Sequence, residues 1–262
     1  VGLGVETEVI DFGNRQPMDM AQVTEVLRTD VDHRIKAVLG VHVDTASSIR
    51  TDMTALRAAI DAAGHPALLM ADCIASVGCD RFEMDAWGVD VMIAASQKGL
   101  MVPPGIGFVF VNDKARAVRN AMPRVSRYWD WNPRLNPDVY YQYFCGTAPT
   151  HHLYGLRVAL DMLHDEGMER VWARHATLAR AVWAAADAWG QGGPLELNVV
   201  DPANRSHAVT ALRIGKPHGT ALRRWTQDQA GLILGIGLGM ATDDDPNADG
   251  LFRFVHMGHF NA

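Results

Sequence analysis

The chain has 262 residues, of which 48% are hydrophobic and 21% charged, an ordinary balance for a folded protein with a real core; it excludes a disordered chain, a collagen and a short disulfide-stapled scaffold. Twenty-four basic against thirty acidic side chains give a net charge of −6, opposite to the basic character of a nucleic-acid binder. The three cysteines, Cys73, Cys79 and Cys145, have neither zinc spacing nor a CxxC pair, which predicts thiols in a reducing, cytoplasmic compartment.

No apolar run reaches the roughly 18 residues that a membrane helix needs, and no secretory leader is read. The chain starts at Val1 inside what reads as the end of a helix feeding a strand. It stops at Ala262 after another strand-like run, so both ends read as cut. Residues 36 to 111 then repeat one pattern, an apolar run followed by a polar or Gly-rich landing. The runs are Ala37–Val43, Ala67–Ala71, Val89–Ala95 and Ile106–Val111. A helix over Met53–Ala63 is expected after the first, entered through Thr51 or Asp52 as N-cap. Nearly all-apolar runs suit strands covered on both faces, and their alternation with helices predicts an α/β domain with a mainly parallel sheet.

Residues 123–149 hold four prolines and the cluster Tyr128-Trp129-Asp130-Trp131. They read as a long, ordered irregular connection, and loops of this length usually carry function. A helical region follows from about Thr150 to Trp189, broken at Gly167, with Leu153, Leu156, Leu160 and Leu163 at helical spacing. Strands are expected over Leu195–Val200, Ala208–Ile214 and Leu251–His256, with a helix over Gly219–Gln229 and an acidic solvated loop over Thr242–Gly250. The organisation is therefore a large domain over 1–149, N-terminally incomplete, and a smaller α+β domain over 150–262.

In open α/β sheets ligands bind beyond the carboxyl ends of the strands. Those ends carry Asp44-Thr45, Asp72 and Ser96-Gln97-Lys98, spaced 28 and 26 residues apart from Asp44 to Asp72 to Lys98. Each gap fits a strand–helix–strand step or a comparable crossover, so the landings share a rim. Lys98 is one of only four lysines against twenty arginines. Burial would lower its pKa and make its amine a nucleophile able to form a Schiff base; a rim lysine that merely snorkels is the alternative. Asp72, at the end of an apolar strand, needs a cationic or hydrogen-bonding partner. The pyridinium nitrogen of pyridoxal phosphate would serve, and a helix N-cap is the plainer role. Arg253, in the apolar strand Leu251–Met257, needs an anionic partner, either a ligand or an internal carboxylate.

Taken together, His42-Val43-Asp44-Thr45-Ala46-Ser47, Asp72-Cys73-Ile74-Ala75-Ser76-Val77-Gly78 and Ser96-Gln97-Lys98-Gly99-Leu100 with Pro103-Pro104-Gly105 resemble the class V, fold-type I pyridoxal-phosphate aminotransferases. Tyr128-Trp129-Asp130-Trp131, Leu153-Tyr154-Gly155-Leu156-Arg157, Trp172-Ala173-Arg174-His175 and Arg253–Gly258 are similar to the serine–glyoxylate branch, beside the alanine–glyoxylate enzymes. The resemblance runs over essentially the whole chain.

It implies pyridoxal 5'-phosphate as cofactor, with Lys98 as the catalytic Schiff-base lysine that shuttles a proton. Asp72 would pair with the ring nitrogen, Thr45 would bond the phenolic oxygen and Ile74 would pack on a ring face. Gln97 would touch the phosphate, and Thr147 the phosphate of the neighbouring subunit of a homodimer. Arg253 would clamp the substrate carboxylate, and no metal is implied. The implied activity moves the amino group of serine or alanine to glyoxylate, giving glycine, with ping-pong kinetics. Alternatives on the same scaffold are pyridoxamine–pyruvate transamination and cysteine desulfuration, with Cys145 as the loop thiol. A truncated homologue that binds without catalysis is a third reading.

Three departures stand out. The family's Gly-rich phosphate loop and ring-stacking aromatic lie upstream of the region that Val1 matches. Ser48 and Val255 stand where the family has glycine, and both are expected to crowd the pocket. Phe144 stands where some relatives have a phosphate-binding tyrosine. Among lesser motifs, Gly235–Gly239 reads as a turn, because no helix follows to complete a dinucleotide loop. His151-His152 lack a third zinc ligand nearby, His42 reads as a structural histidine, Trp183 and Trp189 as packing, and Trp129 and Trp131 as shaping the pocket.

Overall fold

The computed structural model describes residues 4–135, 137–240 and 248–259. Residues 4–19 carry neither helix nor strand, which corrects the strand expected near the start; the helix end expected at Val1 lies outside the described residues. Ile10, Phe12 and Met18 of this segment lie instead against the first apolar core. Helix α1 (Met20–Thr29) follows. Its apolar stripe is Met20, Val23 and Leu27, the last two buried, and Asp19 starts it by accepting from the Ala21 and Gln22 N–H groups.

Next come β1 (Ala37–Val41), α2 (Met53–Ala62), β2 (Leu68–Asp72), β3 (Val91–Ala95) and β4 (Gly107–Val111). Asp52 caps α2, accepting from Thr54 N at 2.9 Å and Ala55 N at 3.0 Å. The sheet order is β1-β2-β3-β4. The first three strands are parallel, with Val41 opposite Asp72 and Asp72 opposite Ile93, and β4 is antiparallel to β3. The step from β2 to β3 is a crossover built of turns, without a helix. Of the apolar runs expected to be covered on both faces, β2 and β3 are, whereas β1 and β4 leave Leu39, Val41, Val109 and Phe110 exposed. Met53, Leu56 and Ile60 of α2 with Val23 and Leu27 of α1 meet Leu69, Ala71 and Met92 on one side, each fully buried aliphatic contributing about 1.5–3 kcal/mol. On the other side Leu68 and Val91 meet Ala115 of α3 (Asp113–Ala121) and Trp131.

The described part of the long connection is largely irregular, as expected. It holds a single helical turn, α4 (Asn132–Leu135), and a 3₁₀ turn over Tyr140–Phe144, and Arg119 pairs with Asp130. Trp131 packs on the first sheet and Trp129 is exposed, so Trp131 is a sheet cover and not a pocket wall.

Helix α5 (Thr150–Glu166) and helix α6 (Met168–Gly190) are separated at Gly167, whose φ of +82° suits glycine. Leu163 and Val171 on either side of the break bury against Leu100. The chain continues through β5 (Glu196–Leu197), β6 (Val209–Arg213), α7 (His218–Ala230), β7 (Gly235–Ile236) and β8 (Leu251–Val255). These strands make an antiparallel sheet in the order β5-β6-β8-β7. Ala179, Trp183 and Ala186 of α6 cover it through Leu212 and Phe252. Trp183 is therefore core, whereas Trp189 is exposed. Gly235-Ile236 forms a strand where a turn was expected. The acidic loop expected over Thr242–Gly250 lies mostly outside the described residues.

The two sheets meet through Val43, Ala75 and Cys79 on one side and Ala208, Val209 and Met257 on the other. No described helix is long and apolar enough to cross a membrane.

Candidate active site

Three strand ends and one strand of the second sheet build the site. Beyond β1, Asp44 organises a tight turn: its carboxylate accepts from Ala46 N at 3.1 Å and Ser47 N at 3.0 Å, and its carbonyl from Ser48 N at 2.8 Å. That turn holds Thr45 half-buried on the rim. At the end of β2, Asp72 Oδ1 accepts from Ile74 N at 2.9 Å. Turns and no helix follow, so Asp72 is not a helix cap.

Beyond β3 the chain doubles back. Ser96 Oγ donates to Pro103 O at 2.8 Å and accepts from Ile106 N at 3.3 Å, Val102 N reaches Ser96 O at 2.9 Å, and Met101 N reaches Lys98 O at 3.0 Å. Gly99 makes this possible. A Cβ there would lie 2.2 Å from Val77 O, so only glycine lets the lysine turn sit on the Asp72–Gly78 turn.

Lys98 is half-buried and its Nζ makes no hydrogen bond or ion pair among the described residues. Burial, and next the Arg253 charge, hold its pKa below the ordinary lysine value, while Asp72 and Cys79 act the other way. Asp72 and Arg253 therefore each lie within electrostatic reach of Lys98.

Arg253, on β8, is 8% exposed. Its Nε donates to Ile236 O at 2.7 Å and its Nη1 to Thr45 O at 2.9 Å. Burial lowers its pKa and Asp44 opposes that. Among the described residues no carboxylate stands within 4.0 Å of it, so the internal salt bridge weighed as its alternative is not made. Two neutral carbonyls fix the guanidinium and leave its Nη2 side for an anion.

The other candidates are less tightly drawn together. Ile74 is half-buried and Gln97 exposed, in the turns that carry Asp72 and Lys98. Thr147 is exposed between the Tyr140–Phe144 turn and α5 and makes no hydrogen bond to the other six among the described residues. Phe144 is half-buried among the rings of Tyr140 and Tyr143. Ser48 adopts the left-handed φ of +62° that its expected glycine would take without strain. Its Oγ accepts from Ala211 N at 3.1 Å, which directs the side chain at β6. Val255 is 47% exposed.

His42 is buried against Phe82 and Trp87, and burial lowers its pKa to about 4, as befits a structural histidine. His152 bonds Pro104 O at 3.1 Å and ties α5 to the loop after Lys98. Burial pushes the Cys73 and Cys79 thiols up to about 12, whereas Cys145 is exposed.

Two polar groupings were not anticipated. Asp80, buried, accepts from Ser206 Oγ at 2.9 Å and from His207 N at 3.1 Å, with His207 Nδ1 at 3.1 Å. Arg174 joins Glu166 to Gly258 O. The motif Trp172-Ala173-Arg174-His175 was visible, but its partners lie 8 and 84 residues away, and periodicity carries no trace of such pairs.

The class-V aminotransferase family matches residues 3–241, and the chain belongs to that family. It is 38% identical over its full length to a serine–glyoxylate aminotransferase of Methylorubrum extorquens, covering 63% of that protein. It is 36% identical over 98% of its length to an L-aspartate–glyoxylate aminotransferase of Paracoccus denitrificans, covering 62% of it. The fold superposes with a TM-score of 0.79 on an alanine–glyoxylate aminotransferase of Nostoc sp., at 26% identity, over 93% of this chain and 61% of that one. The architecture is thus that of the fold-type I enzymes. The chain spans less than two thirds of the length of these relatives.

Proposed function

We propose that the chain acts in a pyridoxal-phosphate-dependent transamination, taking the amino group of serine or alanine and passing it to glyoxylate to give glycine. The observation that carries this reading is a half-buried amine, Lys98, with no hydrogen-bond or ion-pair partner among the described residues, flanked by the Asp72 carboxylate and by a buried arginine that no described carboxylate contacts. The relatives named for glyoxylate transamination support the same chemistry.

The donor set fits pyridoxal phosphate. Asp72 has an oxygen beyond the one that Ile74 N occupies, suited to a protonated ring nitrogen. The Thr45 hydroxyl suits the phenolic oxygen, Ile74 a ring face and Gln97 the phosphate. Thr147 is assigned to the phosphate held by the neighbouring subunit of a homodimer. When bound, the cofactor supplies an electron sink for the charge left on the substrate Cα.

The protein's own groups do the rest. The lowered Lys98 pKa leaves more of the amine neutral at a given pH, as a base must be. Nζ takes the Cα proton of the donor and, in the return direction, delivers one to the carbon that becomes the glycine Cα. Arg253 orients the substrate carboxylate through a planar, charge-assisted contact. Residues 1–149 then supply the cofactor contacts and residues 150–262 the carboxylate clamp, and three free cysteines suit a reducing cytoplasm.

The test is Lys98→Ala. The unsubstituted chain, incubated with pyridoxal phosphate and reduced with borohydride, should carry the label at residue 98 by mass spectrometry and turn over serine and glyoxylate. The variant should do neither. Turnover retained in Lys98→Ala overturns the reading.

A further inference from the structure

We propose that Arg174 is a positioning residue that locks the Lys98 turn to the end of the strand carrying Arg253, and so sets the amine against the carboxylate clamp. The inference rests on the assignment of those two groups as reacting amine and clamp.

The lock has three parts. Glu166, the last residue of α5, grips Arg174 through Nε at 2.7 Å and Nη2 at 2.8 Å. The remaining end, Nη1, donates to Gly258 O at 3.0 Å. Gly258 lies five positions beyond Arg253 and has φ of +89°. A Cβ there would stand 3.2 Å from Met101 Cγ and 4.0 Å from Lys98 O, so its backbone rests directly on the lysine turn.

Cys79, whose sulfur lies 2.9 Å from where a Gly99 Cβ would be, packs in one buried cluster with Met257, the residue before Gly258. The Gly258 carbonyl is thus held by Arg174, and the lysine turn packs against the Gly258 backbone. The turn is closed on itself by the Met101–Lys98 and Val102–Ser96 bonds, so a shift of Gly258 moves Lys98 as a unit.

Arginine is needed at 174 because the task is a fork on one carboxylate plus a separate donor to a carbonyl; the point charge of lysine cannot do both. The grip is also electrostatically apt. Glu166 ends a helix whose C-terminus is partly negative, and the cation beside it offsets both charges. The Glu166 carboxyl is held low chiefly by its bonds from Arg174.

The groups facing the Lys98 amine are Arg253, Asp72 and Cys79, and its titration reports its position among them. Reductive ¹³C-methylation of the full chain followed by NMR gives that titration directly, with the Lys98 signal assigned by its loss in Lys98→Ala. In Arg174→Gln the midpoint should rise toward the ordinary lysine value as the turn gains water and draws away from Arg253. Glu166→Gln, which keeps Arg174 but weakens the fork, should give a smaller rise. Arg157→Gln, which breaks the exposed Arg157–Asp161 pair on the same helix, should leave the midpoint unchanged.

With serine and glyoxylate, kcat in Arg174→Gln should fall about 100-fold, the scale of a misplacement of roughly 1 Å, with a smaller change in KM. An unchanged Lys98 midpoint in folded Arg174→Gln, judged by near-UV circular dichroism, overturns the proposal. Should that variant fail to fold, an unchanged midpoint in Glu166→Gln overturns it equally. A chain without turnover whose midpoint still moves supports the lock and defeats the transamination reading, so the two fail separately.

Discussion

Asp80 and Arg253 are both buried charges in the seam between the two sheets, and they are held in opposite ways. Asp80 is 1% exposed and both of its oxygens are engaged, by Ser206 Oγ, His207 N and the His207 ring. Arg253 is 8% exposed and, among the described residues, is met only by neutral carbonyls. A charge removed from water needs compensation. Where the chain supplies all of it, the charge fastens structure. Where the chain supplies geometry but, among the described residues, no carboxylate in contact, the site suits an anion. Lys98 belongs with Arg253 in this respect, since its amine has no partner among the described residues and its pKa is lowered.

The sharpest way to break this contrast is to remove the satisfied charge. Asp80→Ala strands the donors of Ser206 and His207 in the seam, and losing one partner of a buried ionic cluster costs about 3–5 kcal/mol. Urea unfolding at neutral pH should show that loss. A cost near zero would mean that Asp80 is no more structural than Arg253.

Acid should attack the same seam. Burial holds His42 and His256 at about 4 against an ordinary 6.5. Asp80, Arg50 and Asp52 face His42, while His207, His175 and Asp80 face His256. Between those two values the unfolded chain takes up protons that the folded chain refuses. Stability therefore falls as pH drops from about 6.5 to about 4, by about 3 kcal/mol per histidine, and flattens below. For Asp80, burial alone would raise the carboxyl, but the bonds from His207 and the charge of Arg50 outweigh it and hold it low; its contribution is lost only at still lower pH, in the same sense. Urea midpoints at a series of pH values measure the slope, and a flat profile from 6.5 to 4 would contradict buried neutral histidines.

The unsatisfied charge should answer through substrate and not through stability. Arg253→Gln keeps a donor to a neighbouring carbonyl but removes the charge. A hydrogen bond to a charged group is worth about 1.5–3 kcal/mol, so the KM for serine should rise about ten- to a hundredfold while the urea midpoint changes little. A large fall in stability with unchanged KM would move Arg253 into the class of Asp80.

Much of the rim was legible because it is local. Nearly unbroken apolar runs place β1, β2 and β3, and the polar residues that end them are Asp44, Asp72 and Lys98. The Gly167 break and the helix after Asp52 follow from single punctuating residues. The seam was not legible. Asp80 and Ser206 are 126 residues apart, and no periodicity links them. Helix α3 buries only Ala115, a small side chain, and α1 has only the short stripe Met20, Val23 and Leu27. The reversal of β4 was equally hidden, because composition does not record strand direction. Arg253 was found as a candidate, but its want of a carboxylate partner required coordinates.

The smallest effect tests whether the rim is held locally. Asp52 caps α2 through Thr54 N and Ala55 N, and its carboxylate also accepts from Thr54 Oγ1 at 2.6 Å. Helix α6, which supports the seam, starts at Gly167 with no side-chain cap and leans on tertiary contacts such as Trp183 Nε1 to Thr210 Oγ1 at 3.1 Å. Asp52→Ala should therefore cost about 1 kcal/mol, lowering Tm by about 2–4 °C for a chain of this size. Substitution of Gly167 by alanine tests a different quantity, the strain of a left-handed φ, and says nothing about capping. Because the cap lies one turn of chain after the Asp44 loop, Asp52→Ala should also loosen that loop, raising amide exchange at Thr45–Ser48 while leaving Ser206–Ala208 protected. Equal loss of protection in both segments would show that the two regions unfold as one, and that the distinction between a locally held rim and a network-held seam is only geometric.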